Sequence, residues 1–471
     1  MNEAKAKVLA GFEGAVRLTD TGVEISDSTA LQGDPMDRLV WAAVFGADAE
    51  REAARAVIWD IAQAVGCRPA SIHDLYIARG RGDVGGFTVP AINVRMMAYD
   101  TARAVFRAAV ARNAAAILLE IARSEIAYTD QRPAEYVSVI LGAAIREGYR
   151  HPVFIQGDHC QVNAKKYAVD PEAEVGEVKK LIAEEVAAGF YNIDVDTSTL
   201  VDLSFETLDE QQRANYERAA EITRFIRERE PDGVTVSVGA EIGEVGHKNS
   251  TVEELHAFME GYNRTMAATG RAAGISKISV QTGTSHGGVV LPDGSIAEVK
   301  LDLEALEALG RSAREDYGLG GAVQHGASTL PGDAFGNFPR VETAEIHLAT
   351  NFQNIVFDHP ALPADLRARM YAWLDENAAG ERGAKDSDEQ FYYKTRKKAI
   401  GPFKRELWSL PAAVRQQIGA SLEETFGFLF DQLQVGDTAT IVSQYISAPA
   451  LRHAALGKVA AVAEDDPDAG E

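Results

Sequence analysis

Eight short apolar runs, separated by amphipathic stretches of helical length between residues 87 and 355, predict an α/β chain whose parallel sheet closes into a (β/α)8 barrel. Three observations carry that prediction. The runs are continuously apolar rather than alternating, as strands buried on both faces must be. Strand-like and helix-like segments alternate along the whole span. Eight such units fit a closed barrel, which typically needs about 250 residues, better than an open doubly wound sheet. The open sheet is the alternative, but no Gly-x-Gly-x-x-Gly follows the first run, which weighs against a dinucleotide-binding version of it.

The elements follow in order. Residues 1–84 read as a helical N-terminal extension. Pro35 to Phe45 and Ala49 to Val65 carry apolar residues at helical spacing, with Asp34 and Asp48 placed to cap them. Arg79-Gly80-Arg81-Gly82 and Gly85-Gly86 punctuate the junction. Residues 85–360 form the barrel. Its strands are expected at Thr88–Ile92, Ala116–Ile121, Pro152–Ile155, Tyr191–Val195, Val234–Val238, Ile275–Val280, Gly321–Val323 and Ile346–Ala349. Helices are expected at 99–112, 134–147, 172–188, 211–230, 252–267 and 303–317. Residues 361–460 read as a helical C-terminal extension. Residues 461–471, acidic from Glu464, read as a disordered tail.

Composition narrows the function. The chain has 471 residues and a formal net charge of −23, a surface that repels nucleic acid and anionic membranes. Its two cysteines, Cys67 and Cys160, exclude a disulfide framework and point to a reducing compartment. Residues 1–10 show no signal-peptide pattern, and no apolar run is long enough to span a bilayer, so a cytoplasmic protein is expected.

The chemistry concentrates at strand ends. His159, His286 and His325 fall just past the third, sixth and seventh runs, which is the catalytic rim of such a barrel. Three imidazoles there can hold one zinc ion and leave a position open for substrate; cobalt or iron would also suit such donors. Asp158, beside His159, is a candidate acid/base carboxylate. Both can reach the rim only where the strand breaks its regular alternation. His325-Gly326-Ala327-Ser328 is a small-residue turn after strand seven, a place and a shape suited to a phosphate. Glu241 ends strand five and Asp196 ends strand four; each is placed to touch the metal or a ligand histidine, or to cap a turn. Ser250-Thr251-Val252-Glu253-Glu254 reads as a capping box. The one basic cluster, Tyr393 to Lys398 with Lys404-Arg405, is either a phosphate-neutralising surface or a solvated helix face.

Together these residues resemble the class II, metal-dependent fructose-bisphosphate aldolase family over roughly residues 85–357. Asp158-His159-Cys160 matches the family's Asp-His-Cys, Asp196-Thr197-Ser198 its Asp-x-Ser, and Glu241-Ile242-Gly243 its Glu-x-Gly. Gly283 to Gly287 matches Gly-x-x-His-Gly, His325 to Ser328 matches His-Gly-Gly-Ser, and Ala91-Ile92-Asn93 an early Ala-Phe-Asn. The resemblance implies a zinc-dependent lyase of the cytoplasm, active in carbohydrate metabolism of the glycolytic and gluconeogenic kind, and working as a homodimer or larger homo-oligomer. It implies Asp158 as acid/base and His159, His286, His325 and Glu241 as metal ligands. Asn93, Gly287, Gly326, Ala327, Ser328, His347 and Thr350 become the substrate- and phosphate-binding residues, with a monovalent cation as a further ligand. Phosphorylated ketoses and trioses become the substrates: fructose 1,6-bisphosphate first, then tagatose bisphosphate or another ketose phosphate. A non-catalytic relative that binds metal and sugar phosphate is the rival.

Two motifs depart from the family. Where its mobile loop carries Gly-Gly-x-Glu-Asp, this chain reads Gly246-His247-Lys248-Asn249, which leaves His247 or Glu244 to replace the loop acid. Where strand eight runs Asn-Ile-Asp-Thr-Asp, with its Asn on the substrate, this chain reads Glu345-Ile346-His347-Leu348-Ala349.

Overall fold

The computed structural model describes residues 2–243, 248–268, 270, 272–283 and 301–452. His286 and Gly287, Glu244 and His247, and the segment 453–471 lie outside the described residues.

Eight strands form one parallel ring: β1 (Val89–Asn93), β2 (Leu118–Ala122), β3 (Val153–Gln161), β4 (Asn192–Asp196), β5 (Ser237–Glu241), β6 (Lys277–Val280), β7 (Ala322–Gln324) and β8 (Glu345–Leu348). Each pairs in parallel with the next, and β8 closes on β1 through Glu345↔Val89 to Leu348↔Ile92. All eight overlap the runs that the sequence marks, although β5 shares only Ser237 and Val238 with its run and β3 continues past Ile155 to Gln161. Helices such as Ala98–Ala111, Pro133–Arg146, Pro171–Ala188 and Leu208–Arg227 cover the outside and make each strand a two-faced core element. Thr251 and Glu254 form the expected capping box at helix Val252–Ala267.

The extensions are attached closely. The N-terminal helices Asp34–Phe45 and Asp48–Val65 begin on the aspartates themselves, which lie in the first turn where the helix dipole favours them. That extension is not wholly helical, since Val16–Thr19 and Gly22–Ile25 make an antiparallel hairpin. Each strand has only four residues, too few for a clear alternation. Pro69–Ala70 pairs beside β3, and helix His73–Gly80 follows. The Tyr76 hydroxyl of that helix reaches Glu345 at the start of β8. At the other end, helix Ala412–Gln432 buries Ile418, Leu422, Phe426 and Leu429. It is tied to the first barrel helix by Arg107–Glu423, Arg112–Asp431 and Arg415–Asp100. Among the described residues, no helix is long and apolar enough to cross a membrane.

One glycine shows how tightly the barrel is filled. A Cβ on Gly239 of β5 would lie 2.2 Å from Asp194 Oδ1 and 2.8 Å from Lys277 Cε. Gly239→Ala is therefore expected to cost about 1–3 kcal/mol by overpacking, read as a lower urea midpoint at unchanged slope. A neutral substitution would show that the Asp194–Lys277 pair can move aside.

Candidate active site and metal centre

Strand β3 delivers two neighbouring site residues because it is irregular. Gly157 pairs with Ile193, and the next registered pair is Cys160 with Val195. Asp158 and His159 thus stand opposite the single residue Asp194, which is a bulge. His159 takes a left-handed φ of 40°, uncommon for a residue with a side chain. On a regular strand the two side chains would point to opposite faces. The bulge brings both to the rim: Asp158 Oδ1 lies 3.1 Å from His347 Nδ1 on β8, and the His159 ring sits 4.4 Å from that of His325 after β7.

The histidines are held from behind. His159 Nδ1 lies 3.1 Å from Asp196 Oδ2 and 3.9 Å from Glu241 Oε2. Asp196 also accepts hydrogen bonds from the Ser198 amide at 3.0 Å, the Ser198 hydroxyl at 2.7 Å and Gln161 at 2.6 Å. Burial opposes its ionisation, but these donors outweigh burial and hold its carboxyl below the usual range. His325 Nε2 is 3.1 Å from the Ser279 hydroxyl. Such partners fix ring orientation and turn the other nitrogen toward a metal.

Donor atoms of His159, Glu241 and His325 lie within 4.8 Å of one another, and all three residues are buried. Nitrogen and carboxylate donors in a dry pocket fit zinc, with cobalt or iron as substitutes. The third imidazole expected from the sequence, His286, lies outside the described residues.

The electrostatics also favour a cation. Burial lowers the His159 pKa, yet Asp158, Asp196 and Glu241 outweigh it and push the imidazole up to about 10. Burial and the Asp196 charge push Glu241 well above the carboxylate range. His159 therefore carries a proton at neutral pH in the metal-free protein, Glu241 is shifted toward its protonated form, and a metal must displace such protons. Metal affinity is expected to rise with pH between about 6 and 10, by up to about tenfold per unit for each proton released. Calorimetric titration of zinc in buffers of different ionisation heat reads the proton count; binding without release would remove His159 and Glu241 from the ligand set.

Of the expected substrate-side residues, Gly287 lies outside the described residues, and the others are placed as follows. Asn93 Nδ2 lies 3.4 Å from Asp158 Oδ2. Gly326 has φ 69° and opens the tight turn Ala327–Thr329. The Ser328 hydroxyl accepts from the Ala349 amide at 2.7 Å, which ties the turn after β7 to the end of β8. Thr350 opens the next helix. His347 stacks on the His325 ring, with centroids 3.9 Å apart. It is buried, and Nε2 lies 2.8 Å from Glu345 Oε1.

The sequence reading missed the charged layer under the rim. Lys277 of β6 is fully buried; its ammonium donates to Gln156 at 2.8 Å and pairs with Asp194 at 2.9 Å and with Glu345. Gln156 Nε2 bridges Glu120 and Glu345, both at 2.9 Å. Burial raises Lys277's cost as a cation, but the two carboxylates outweigh it and keep it charged. The available signal was a lone charge inside three of the apolar runs, Glu120, Asp194 and Lys277, with Glu345 just ahead of the eighth.

Two other features take structural roles. Four members of the basic cluster are held in ion pairs, Lys394 on Asp386, Arg396 on Asp358, Lys398 on Glu381 and Lys404 on Glu135, while Lys397 lies over the Tyr128 ring and Arg405 over that of Phe45. Cys160 is buried 3.3 Å from Glu185, and burial pushes its thiol far up, so it is no nucleophile.

The profile of fructose-bisphosphate aldolase class-II matches residues 81–400. No curated protein sequence matches the chain. Among solved structures, a probable tagatose 6 phosphate kinase from Sinorhizobium meliloti is similar at 17% identity and TM-score 0.51, covering 80% of this chain and 98% of its own. Fructose-bisphosphate aldolase from Campylobacter jejuni is similar at 16% identity and TM-score 0.44, covering 79% and 97%. The YdjI aldolase from Escherichia coli K12 follows at 14% identity and TM-score 0.41, covering 73% and 99%. At 17% identity the first of these likenesses speaks to the fold alone. The profile match spans well over half of the residues, and this chain belongs to the class II fructose-bisphosphate aldolase family.

Proposed function

We propose that this protein is a zinc-dependent aldolase that reversibly cleaves fructose 1,6-bisphosphate to dihydroxyacetone phosphate and glyceraldehyde 3-phosphate. The observation that supports it most is the β3 bulge, which sets the Asp158 carboxylate beside the donor group His159, Glu241 and His325. A zinc ion held there supplies Lewis-acid polarisation of the ketone oxygen. Asp158 accepts the proton from the hydroxyl one carbon beyond the scissile bond, and returns it in the condensation direction. Asn93, 3.4 Å from Asp158, steadies that carboxylate and lines the substrate space. The turn from Gly326 to Ser328, after β7, presents backbone N–H groups to a phosphate, with Gly287 as a further donor. Thr350 and a monovalent cation complete this side. The protein works in the cytoplasm as a homodimer or larger.

The test is triose phosphate release from fructose 1,6-bisphosphate and, in parallel, from tagatose 1,6-bisphosphate. Faster release from the fructose ester supports the reading. Faster release from the tagatose ester moves the substrate but keeps the reaction. Release from neither, by protein that binds zinc, favours the non-catalytic relative.

A further inference from the structure

Helix His73–Gly80 packs where β7, β8 and β1 begin, and it carries one polar atom into the barrel. Its seat is fixed by close backbone packing. A Cβ on Gly80 would lie 2.2 Å from the Gly318 carbonyl oxygen, and one on Gly320 would lie 2.8 Å from Tyr76 Cβ. Arg79 clamps the helix further, donating to the Phe87 carbonyl at 2.6 Å and pairing with Glu342 at 3.1 Å. The atom carried inside is the hydroxyl of Tyr76, a wholly buried residue, and it donates to Glu345 Oε2.

Glu345 joins that hydroxyl to the charged layer. Its other oxygen, Oε1, accepts from Gln156 Nε2 at 2.9 Å and from Lys277, and lies 2.8 Å from His347 Nε2. His347 in turn sets Nδ1 3.1 Å from Asp158 Oδ1. Three contacts thus run from the floor of the barrel to the carboxylate at its rim, through Tyr76, Glu345, His347 and Asp158. The two oxygens of Glu345 are gripped from different sides. A terminal carboxyl torsion is soft, so losing the grip on Oε2 lets the group turn and carry Oε1 away from His347. Nδ1 of His347 also lies 3.1 Å from Glu120 Oε2. A ring released from Glu345 can therefore settle on Glu120 and leave Asp158.

We propose that Tyr76 is a positioning residue, which acts through Glu345 and His347 to hold the Asp158 carboxylate where it exchanges its proton with substrate. The role rests on Asp158 being the acid/base of the proposed aldolase reaction. It makes the helix ahead of the barrel part of the site's geometry, although Tyr76 lies under the site rather than in it.

Tyr76→Phe removes one oxygen and keeps the ring. In the whole zinc-loaded protein it is expected to lower kcat for triose phosphate release about 10- to 100-fold, with KM and zinc affinity unchanged. Added to Asp158→Asn it is expected to lower kcat no further, because the carboxylate it places is gone. A merely structural phenol would lower the urea midpoint and leave turnover per zinc-loaded molecule unchanged. That result, or an equal loss in both backgrounds, would overturn the proposal. A second readout needs no substrate. In protein carrying isotope-labelled histidine, the ring nitrogen resonances of His347, assigned with His347→Asn, are expected to move in Tyr76→Phe. Resonances that stay in place would overturn the proposal on their own. Resonances that move in a protein that cleaves neither ketose ester would reject the aldolase reading and keep the link from Tyr76 to His347. If Tyr76→Phe does not fold, Glu345→Gln, which weakens the contact to His347 and leaves the phenol in place, must move the same resonances; their constancy there would equally sink the proposal.

Discussion

Asp158→Asn lowers triose phosphate release by about 10²–10⁴-fold, the usual worth of a positioned acid/base. The amide keeps the carboxylate's shape but cannot accept the proton. Asp158 is buried beside Asn93 and His347, so no second carboxylate stands ready at the same place with the same solvent access. The loss should fall on kcat, with KM little changed, because the missing interaction is made during proton transfer rather than in substrate binding. Zinc should still bind through His159, Glu241 and His325. Steady-state kinetics of the zinc-loaded variant reads this. Retention of more than about a tenth of the activity would move the acid/base role to another residue.

Lys277→Met destabilises the fold by about 3–5 kcal/mol, because it strands charges that have no route to water. Lys277 and Glu345 are both wholly buried, and Asp194 nearly so. The loss is a large share of the roughly 5–15 kcal/mol that holds a domain together. Adding Glu345→Gln to Lys277→Met removes one stranded charge and is expected to recover part of the loss. Urea unfolding of the metal-free single and double variants measures both effects. A cost below about 1 kcal/mol for Lys277→Met would mean that these carboxylates protonate without consequence.

The sequence and the structure agree where the physics is local. Continuous apolar runs such as Leu118–Leu119 and Val153–Phe154–Ile155 mark strands covered on both faces, and the closed ring confirms them. The histidines were legible because they sit where those runs end. Asp196 was legible as a strand-end carboxylate, and it both lies 3.1 Å from His159 Nδ1 and accepts from the Ser198 amide of the next turn. The charged layer was not legible, because its pairs are remote in sequence. Lys277 and Glu345 are 68 residues apart, and Tyr76 and Glu345 are 269 apart. Whether a lone Glu or Lys in a strand faces inward depends on the stagger of the closed barrel, which no local window contains. His347 is the clearest case. Its ring lies among four carboxylates and against His325, neighbours that its place in strand eight did not reveal. Asp158 and His159 were expected to share the rim because the strand breaks into a loop there; instead β3 continues to Gln161 and a bulge turns both.

The measurement that bears most directly on the account is carbon–carbon cleavage of fructose 1,6-bisphosphate by one preparation in three states: zinc-loaded, chelator-stripped and reloaded. The account predicts triose phosphate release in the first state, loss of at least about 10²-fold in the second and recovery in the third. Equal release from stripped and loaded protein would contradict a metal-centred mechanism. No release from fully loaded protein would contradict the assigned substrate.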